Sequence, residues 1–244
     1  MRRRTAAAGV AGLMALLPSA GLAQSNDPSA PQARLTVGQQ IAVEDGHLIG
    51  ITPLDLNLRT GTRVQTLQFS LSAPFRLNDP DEDKSFALGD PQARLLFRRG
   101  ASNAAIEMEL GYRENDLDNE ILYDEIDNEF VTVDGGRVAR TNARMTYVFG
   151  RQAKFGGEFG LSWQENDYSG TTDPDLDDNE TRSGNITFYL EPTPLIRARI
   201  LAQSSRTDGE TDDSRTERYG VGASMQMDKL TNLDVELART TIRR

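Results

Sequence analysis

The chain has 244 residues, no cysteine, a single histidine and a formal net charge of −10 at pH 7. Without cysteine, neither a disulfide framework nor a thiolate metal site can form. The acidic balance, with no basic stripe along the chain, argues against nucleic acid as a partner.

Residues 1–23 have the features of a secretory signal peptide. Three consecutive arginines, Arg2–Arg4, precede the apolar run Ala6–Leu17. The small residues Gly21 and Ala23 occupy the third-last and last positions before the predicted cleavage point. The apolar run is shorter than the ~20 residues of a membrane-spanning helix, which disfavours the alternative of a membrane anchor. These features predict that the protein leaves the cytoplasm.

The mature chain is expected to begin near Gln24. Residues 24–32 contain proline and serine and form a flexible leader in this interpretation. Beyond the signal, no apolar run approaches helical spanning length, so an inner-membrane helix bundle is excluded. The remaining length is compatible with one domain.

From Ala33 onward, apolar and polar residues alternate, as they do in strands with one apolar and one polar face. The pattern predicts about eleven strands of a length suited to tilted barrel strands of ~9–11 residues. The clearest hairpin is Arg137–Gln164. The predicted strands contain Leu35–Val43, Leu54–Leu58, Leu67–Leu77, Ala93–Phe97, Ile106–Tyr112, Ala143–Phe149, Phe155–Trp163, Ile186–Leu190, Ile196–Ala202, Tyr219–Met227 and Leu233–Leu237.

Aromatic residues cluster towards the ends of these strands. In the Arg137–Gln164 hairpin, Phe149 and Phe155 flank the short link and Trp163 lies at the far end. A soluble core gives no reason for aromatic rims, whereas aromatic rings prefer the two interfaces of a membrane. The sequence therefore predicts a lipid-facing aromatic belt formed by Phe75, Phe97, Tyr112, Phe149, Phe155, Trp163 and Tyr219.

From the second strand onward, short links alternate with long acidic loops. The long loops are Glu114–Gly136, Asn166–Ser183 and the polar segment 205–216, with another after Leu77. Bacterial outer-membrane barrels combine short periplasmic turns with longer external loops. The fold class predicted for residues 33–244 is all-β: an antiparallel up-and-down transmembrane β-barrel of about 10–12 strands. The alternative is a secreted soluble β-protein.

Two segments carry a family resemblance: the opening strand RLTVGQQIAVEDG, residues 34–46, and the late hairpin RYGVGASMQMDKLTNLDVELA, residues 218–238. On these segments the chain resembles the porin-like outer-membrane β-barrels of Gram-negative bacteria. The resemblance implies a place in the cell outer membrane and contact with outer-membrane lipid and lipopolysaccharide. It also implies insertion by the barrel assembly machinery, an even strand count and an aromatic last residue.

The end of the chain departs from that pattern. Residues Thr240–Arg244 include no aromatic residue, and eleven strands would place the first and last strands parallel at a closing seam. We therefore expect a C-terminally truncated barrel. It would take the form either of an incompletely closed, curved sheet or of a closed ten-stranded barrel with the last limb displaced.

The polar face of the predicted strands carries opposite charges on successive strands. Cross-strand pairs of this kind each contribute roughly 0.2–1 kcal/mol. One interpretation is a charged lumen that filters solutes. The other is a set of neutralised pairs that fills a narrow barrel and conducts nothing, and strand number decides between them. The predicted pore-lining residues are Arg94, Arg98, Glu107, Glu109, Arg140, Arg144, Arg197 and Arg199.

Neither a metal site nor a catalytic site is predicted, and no cofactor is implied. Asp173, Asp175, Asp177 and Asp178 lack the glycine and terminal glutamate of an EF-hand loop, which favours a solvated surface loop that binds divalent cations weakly and non-specifically at most. The one histidine, His47, lies in the loop EDGHLIG with no serine fixed to it, which argues against hydrolase chemistry. The predicted function is a porin-like barrel for passive diffusion of small solutes. A non-conducting structural or surface-interaction barrel is the alternative.

Overall fold

The computed structural model describes residues 30–44, 47–77, 86–117, 121–124, 129–132, 135–171, 176–209, 213–227 and 230–244. The predicted signal peptide and most of the predicted leader lie outside these residues. All regular secondary structure in the described residues is β-strand. The described part of the chain contains no helix long and apolar enough to cross a membrane.

Fifteen strands are described. They are β1 (Gln32–Val37), β2 (Gln40–Glu44), β3 (His47–Gly61), β4 (Gln65–Leu77), β5 (Phe86–Leu88), β6 (Gln92–Gly100), β7 (Ala104–Asp116), β8 (Ile121–Asp124), β9 (Glu129–Thr132), β10 (Arg137–Phe149), β11 (Phe155–Ser169), β12 (Asn179–Thr193), β13 (Ile196–Gly209), β14 (Asp213–Gln226) and β15 (Asn232–Arg243).

Thirteen strands form one antiparallel sheet in which hydrogen-bonded neighbours follow the order β1-β3-β4-β6-β7-β10-β11-β12-β13-β14-β15. In addition, β2 pairs with β3 and β5 pairs with β4, while β8 and β9 form a separate two-stranded sheet. The prediction of an all-β, antiparallel, up-and-down sheet is confirmed. The eleven strands along this path correspond to the eleven predicted ones, the first of which is divided into β1 and β2.

Two prolines explain where the ladders are interrupted. Pro53 in β3 lies opposite Pro74 in β4, and neither has a backbone N–H to donate. The break between β1 and β2 falls opposite Pro53, whose carbonyl accepts from Gly38 N at 3.0 Å. The break between β5 and β6 falls opposite Pro74, whose carbonyl accepts from Gly89 N at 2.7 Å. The sheet therefore carries a line of broken pairing across its first strands.

The later strands are longer than predicted, because polar segments continue them beyond the apolar alternation. β11 and β12 each have 15 residues, and β13 and β14 each have 14. The prediction that Asn166–Ser183 and residues 205–216 are loops is wrong over much of both segments. Strand pairing provides hydrogen-bond partners for the backbone N–H and C=O groups whichever side chains are present. Side-chain hydrogen bonds between strands, such as the one between Thr181 Oγ1 and Thr207 Oγ1 at 3.1 Å, further stabilise the polar extension.

One other loop prediction needs correction, and the connection within residues 205–216 is shorter than predicted. The acidic stretch Glu114–Gly136 contains the β8–β9 hairpin and continues β7 as far as Asp116. The connection between β13 and β14 is a tight link after Asp208, which pairs with Asp213. Long connections therefore do not occur at every position where loop-length alternation predicted them.

The sheet is open. β15 pairs with β14 along Asn232–Arg243, so the alternative of a closed ten-stranded barrel with a displaced last limb is wrong. Among the described strands, β1 and β2 pair only with β3, and β15 pairs only with β14. The two edges of the sheet therefore do not meet.

The two faces of the sheet differ in polarity. The pairing register places Arg94, Glu109 and Arg144 on one face, as the alternation predicts. The opposite face carries the apolar residues Phe69, Leu71, Leu95, Phe97, Leu110, Met145, Tyr147, Phe159 and Leu161. That apolar face is uncovered: Ile200 is 62% exposed and Leu237 is 76% exposed. Five described hydrophobic residues are buried, namely Ile49, Ala73, Leu96, Leu117 and Val138.

Candidate functional site on the polar face

The eight predicted pore-lining residues share one face of the sheet but form three separate groups. The first group joins β6 to β7. Arg98 lies directly opposite Glu107, and its Nε and Nη2 donate to the two carboxylate oxygens at 2.7 and 3.2 Å. Arg94 pairs with Glu109 in the same two-pronged way, at 2.9 and 3.0 Å. Both arginines of this group are thus neutralised by the neighbouring strand.

The second group lies near the turns that join β12 to β13 and β14 to β15. Arg199 reaches across β14 and donates to Asp234 at 2.6 and 2.7 Å and to Glu236 at 2.8 Å. It can do so because the residue beneath it is Gly222, where a Cβ would lie 2.9 Å from Arg199 Nε. Arg218 binds the other oxygen of Glu236. This cluster ties three neighbouring strands together through side chains.

Arg197 belongs to the same region. Its Nε donates to Glu191 at 2.6 Å, and its guanidinium carbon lies 4.9 Å from the centre of the Tyr189 ring. A cation at this distance from an aromatic face is attracted to it. The Tyr189 hydroxyl donates to the Phe149 carbonyl oxygen at 3.2 Å, which holds the ring across Gly156.

The third group contains arginines that no described carboxylate neutralises. Arg140 on β10 lies directly opposite Arg113 on β7. Arg140 Nε donates to Asn166 Oδ1 at 2.9 Å, and Arg113 Nε donates to Asn115 Oδ1 at 2.7 Å. The partners are therefore neutral amides and not acids.

Arg144, the remaining predicted residue, lies four positions from Arg140 along the same face of β10 and directly opposite Glu109. The carboxylate of Glu109 is bound to Arg94, and Arg144 forms no ion pair with any described residue. Arg144 therefore adds an uncompensated positive charge to the third group.

Next to the third group, the loop end of the polar face is closed by apolar side chains. Leu117 is fully buried against Val138, with Tyr168 and Leu176 packed on them. Val138 and Tyr168 occupy the row adjacent to Arg140 and Asn166. Leu117, just after β7, and Leu176, just before β12, thus cover part of the polar face at this end.

Several of these residues were not among those predicted from the sequence. Arg113 continues the polar alternation of β7 past Glu107 and Glu109, so extending that alternation would have included it. Asp234 and Glu236 likewise alternate along β15, but only the register shows that they meet Arg199. Leu117 stands alone in an acidic stretch, and no periodic signal marks it.

On the opposite face, five of the seven predicted belt residues fall into two groups, and Phe75 and Phe97 lie apart from both. Phe149, Phe155 and Phe188 lie near a turn with ring centroids 6.1–6.3 Å apart. Phe97 lies farther from the turn end of the strands, opposite Met108. Phe75 occupies the apolar face of β4 opposite Thr52.

Tyr112, Trp163 and Tyr219 lie where the apolar part of the face ends. On β7, β11 and β14 respectively, the next residue on that face towards the loops is a glutamate. The Tyr112 hydroxyl donates to Glu114 at 3.0 Å, and the Trp163 indole N–H donates to Glu180. Each ring thus has an apolar side and a polar tip.

Beyond these aromatic residues, the same face carries a charged band. Its ion pairs are Glu114–Arg137, Glu180–Arg182, Arg206–Asp208 and Arg215–Glu217. The hydrogen bonds from Arg182 and from the Trp163 indole lower the pKa of the Glu180 carboxyl below its ordinary value. The apolar surface is therefore bounded by charge at the loop end of the strands.

The register also shows a stagger of constant direction. Phe155 begins β11 opposite Leu190, but β12 continues to Thr193 before its turn. Ile196 begins β13 opposite Met225, and the turn from β14 to β15 lies beyond that pair. The hairpins before β11 are displaced in the same direction. Along the sheet, the turn of each of these hairpins therefore extends beyond the turn of the preceding hairpin, always in the same direction along the strands.

The other predicted features give no site among the described residues. His47 does not lie in a loop, as the sequence analysis expected, but begins β3 opposite Glu44, and its side chain is outside the described structure. Asp173 and Asp175 also lie outside it. The Asp178 carboxylate accepts from the Tyr168 backbone N–H at 2.6 Å. No group of three acidic or histidine side chains in the described residues is arranged to hold a metal ion.

No protein-family profile matches this chain, and neither a curated protein nor a solved structure is significantly similar to it. The fold and the two faces define a class in structural terms: a large antiparallel meander sheet with one exposed apolar face and one charged face.

Proposed function

We propose that this protein is a porin-like β-barrel of the bacterial outer membrane that allows passive diffusion of small solutes. The supporting observation is the exposed apolar face, bounded at the loop end by Tyr112, Trp163 and Tyr219 and then by charge. Soluble monomers rarely expose contiguous apolar patches larger than a few hundred Å². Lipid is the environment that suits a band of this kind.

The height of the band agrees with this proposal. From Phe155 to Trp163, every second residue of β11 lies on the apolar face. This distance is about 26 Å along a strand, or about 20 Å after a barrel tilt of about 40°. The apolar band of outer-membrane barrels is about 25 Å tall.

The constant stagger supports a barrel over a flat sheet. Closure requires tilted strands, and tilt requires a register shift that accumulates in one direction. Closure would also give hydrogen-bond partners to the backbone N–H and C=O groups along the open edge of β15. In the hydrocarbon core of a membrane, unpaired backbone groups have a high free-energy cost. Because β1 and β15 run in the same direction, this closure requires a parallel seam or an additional strand.

A second candidate, a structural barrel that conducts nothing, is favoured by a specific observation. Arg94, Arg98 and Arg199 are each bound to carboxylates of neighbouring strands. Ion pairs of this kind can fill a narrow lumen without leaving charge for passing solutes. Single-channel recording of the refolded full-length protein in planar bilayers separates the two, since only a channel gives discrete conductance steps.

If the protein conducts, reversal of Arg94 and Arg98 to glutamate is expected to increase the cation-to-anion permeability ratio several-fold. Four carboxylates would then line the β6–β7 hairpin, and fixed charge near an ion path selects for the opposite sign. The measurement is the reversal potential under a salt gradient.

The control exchanges charges within both pairs: Arg94→Glu, Arg98→Glu, Glu107→Arg and Glu109→Arg together. This variant keeps the net charge and the pairing, and its selectivity should match the wild type. Conductance with unchanged selectivity in the double reversal would place these pairs away from the solute path.

A further inference from the structure

We infer that Arg113, Arg140 and Arg144 form a binding site for small oxyanions, phosphate or carboxylate, on the polar face. The inference deepens the proposed channel function, since it names the class of solute that the polar face would retain. The inference rests on two observations: neutral amide side chains orient two of these arginines, and none of the three forms an ion pair with a described carboxylate.

The first argument is charge. Arg113 and Arg140 are directly opposite across β7 and β10, a position in which like charges destabilise a sheet. No described carboxylate lies within ion-pairing distance of either. Three rows away on the same face of β7, Glu107 is paired with Arg98 of β6, so β7 does carry an acidic partner for arginine elsewhere. A bound anion would supply the missing counter-charge.

The second argument is orientation. Each guanidinium uses its Nε to donate to an amide oxygen, of Asn115 for Arg113 and of Asn166 for Arg140. The remaining nitrogens of both form no hydrogen bond to a described residue. A guanidinium whose outer edge is left open presents the parallel N–H pair that binds carboxylate or phosphate in a bidentate manner.

The third argument is rigidity. Asn166 is 8% exposed, and it is the one polar residue that is buried in the described structure. It accepts from Arg140 and from Gln164 Nε2 at 3.4 Å, and its own amide donates to Asn179 Oδ1 at 2.7 Å. This network fixes Arg140 before a ligand arrives, which lowers the entropic cost of binding.

The surroundings strengthen the electrostatic attraction. Val138 and Tyr168 occupy the next row along β10 and β11, and Leu117 packs on Val138. Arg113 and Arg140 are exposed, so an anion can reach them, and the apolar groups reduce the local dielectric constant on one side of the pair. Arg144 lies two rows from the pair, on the side away from Val138, and adds charge of the same sign.

The test is isothermal titration of the refolded full-length protein, in detergent micelles, with inorganic phosphate and separately with acetate. Wild-type protein should bind with saturation, and the two titrations show which oxyanion is preferred. Arg113→Gln together with Arg140→Gln should weaken binding at least tenfold, since both open edges are lost. Asn115→Ala keeps every charge but frees Arg113, and it should weaken binding a few-fold.

Arg206→Gln is the matched control, because it removes the same charge from the opposite face. It should leave the affinity within twofold. Equal loss in Arg206→Gln and Arg140→Gln would show a general effect of net charge and would overturn the site, as would absence of binding to wild-type protein. Arg140→Lys, which keeps the charge without the fork, should fold normally and bind more weakly than wild type.

These results are separable from the channel proposal. Phosphate binding without conductance would leave the oxyanion site standing and reject the channel. Conductance without binding of either phosphate or acetate would support the channel and reject the oxyanion site.

Discussion

Ile200→Arg is expected to lower the free energy of unfolding of the bilayer-inserted protein by about 2–4 kcal/mol, the cost of arginine at the midplane of a barrel's lipid face. Ile200 occupies the middle of the apolar part of β13, between Phe188 and Val221 on the neighbouring strands. Ile200 is 62% exposed, so if this face is in water the same substitution should hardly change the free energy of unfolding. Substitutions of exposed residues usually change that free energy by no more than about 0.5 kcal/mol.

The matched control is Gln203→Arg, which places the same side chain on the polar face of the same strand. Denaturant titration in lipid vesicles, followed by tryptophan emission from Trp163, gives both unfolding free energies. If the two variants are equally stable in vesicles, the apolar face is not in lipid and the membrane proposal fails.

Gly156→Ala is expected to destabilise the protein by about 1–3 kcal/mol, the usual cost of forcing extra atoms into a filled space. A Cβ at this position would overlap the Tyr189 hydroxyl and lie 2.5 Å from the Phe149 carbonyl oxygen. The tyrosine would have to leave its hydrogen bond to Phe149, and Arg197 would lose the ring over which it lies.

Gly184→Ala, on the next strand, serves as the comparison. The nearest atom to a Cβ there is Leu161 Cδ2 at 3.4 Å, an ordinary contact. Since alanine also restricts the unfolded chain, this variant should be neutral or more stable by about 0.4–1 kcal/mol. Urea unfolding compares the two, and equal stability of both variants would show that Tyr189 does not occupy the space above Gly156.

The apolar band could be predicted from the sequence because it depends on a period of two along each strand. Met145, Tyr147, Phe159 and Leu161 share a face for this reason, and their pairing in the structure agrees. The period does not continue in segments such as residues 204–209, where both faces are polar. In this segment the strand is stabilised by backbone pairing with β12 and β14. Neither the length of β13 nor the short link after it could therefore be predicted from the sequence of β13 alone.

The partners on the polar face depend on register, which residue types alone do not determine. Arg98 and Glu107 were predicted to lie on facing strands of one hairpin, but only the register shows that they are directly opposite each other. Arg199 meets Glu236 across an intervening strand, and that contact depends on Gly222 having no side chain. Arg140 was included in the charged set, whereas Arg113 was missed at the edge of the predicted strand.

The meander order of the main sheet has a consequence for how such a protein can change in evolution. Each strand of the path is bonded to the strand before it and the strand after it, so contacts are local in the chain. Loss of β12 and β13 as a unit would bring β11 beside β14, still antiparallel and still with matching faces. Gain of a hairpin would be accommodated in the same way. The number of strands in the sheet can therefore change by whole hairpins through duplication or deletion, while the order and connections of the remaining strands stay the same.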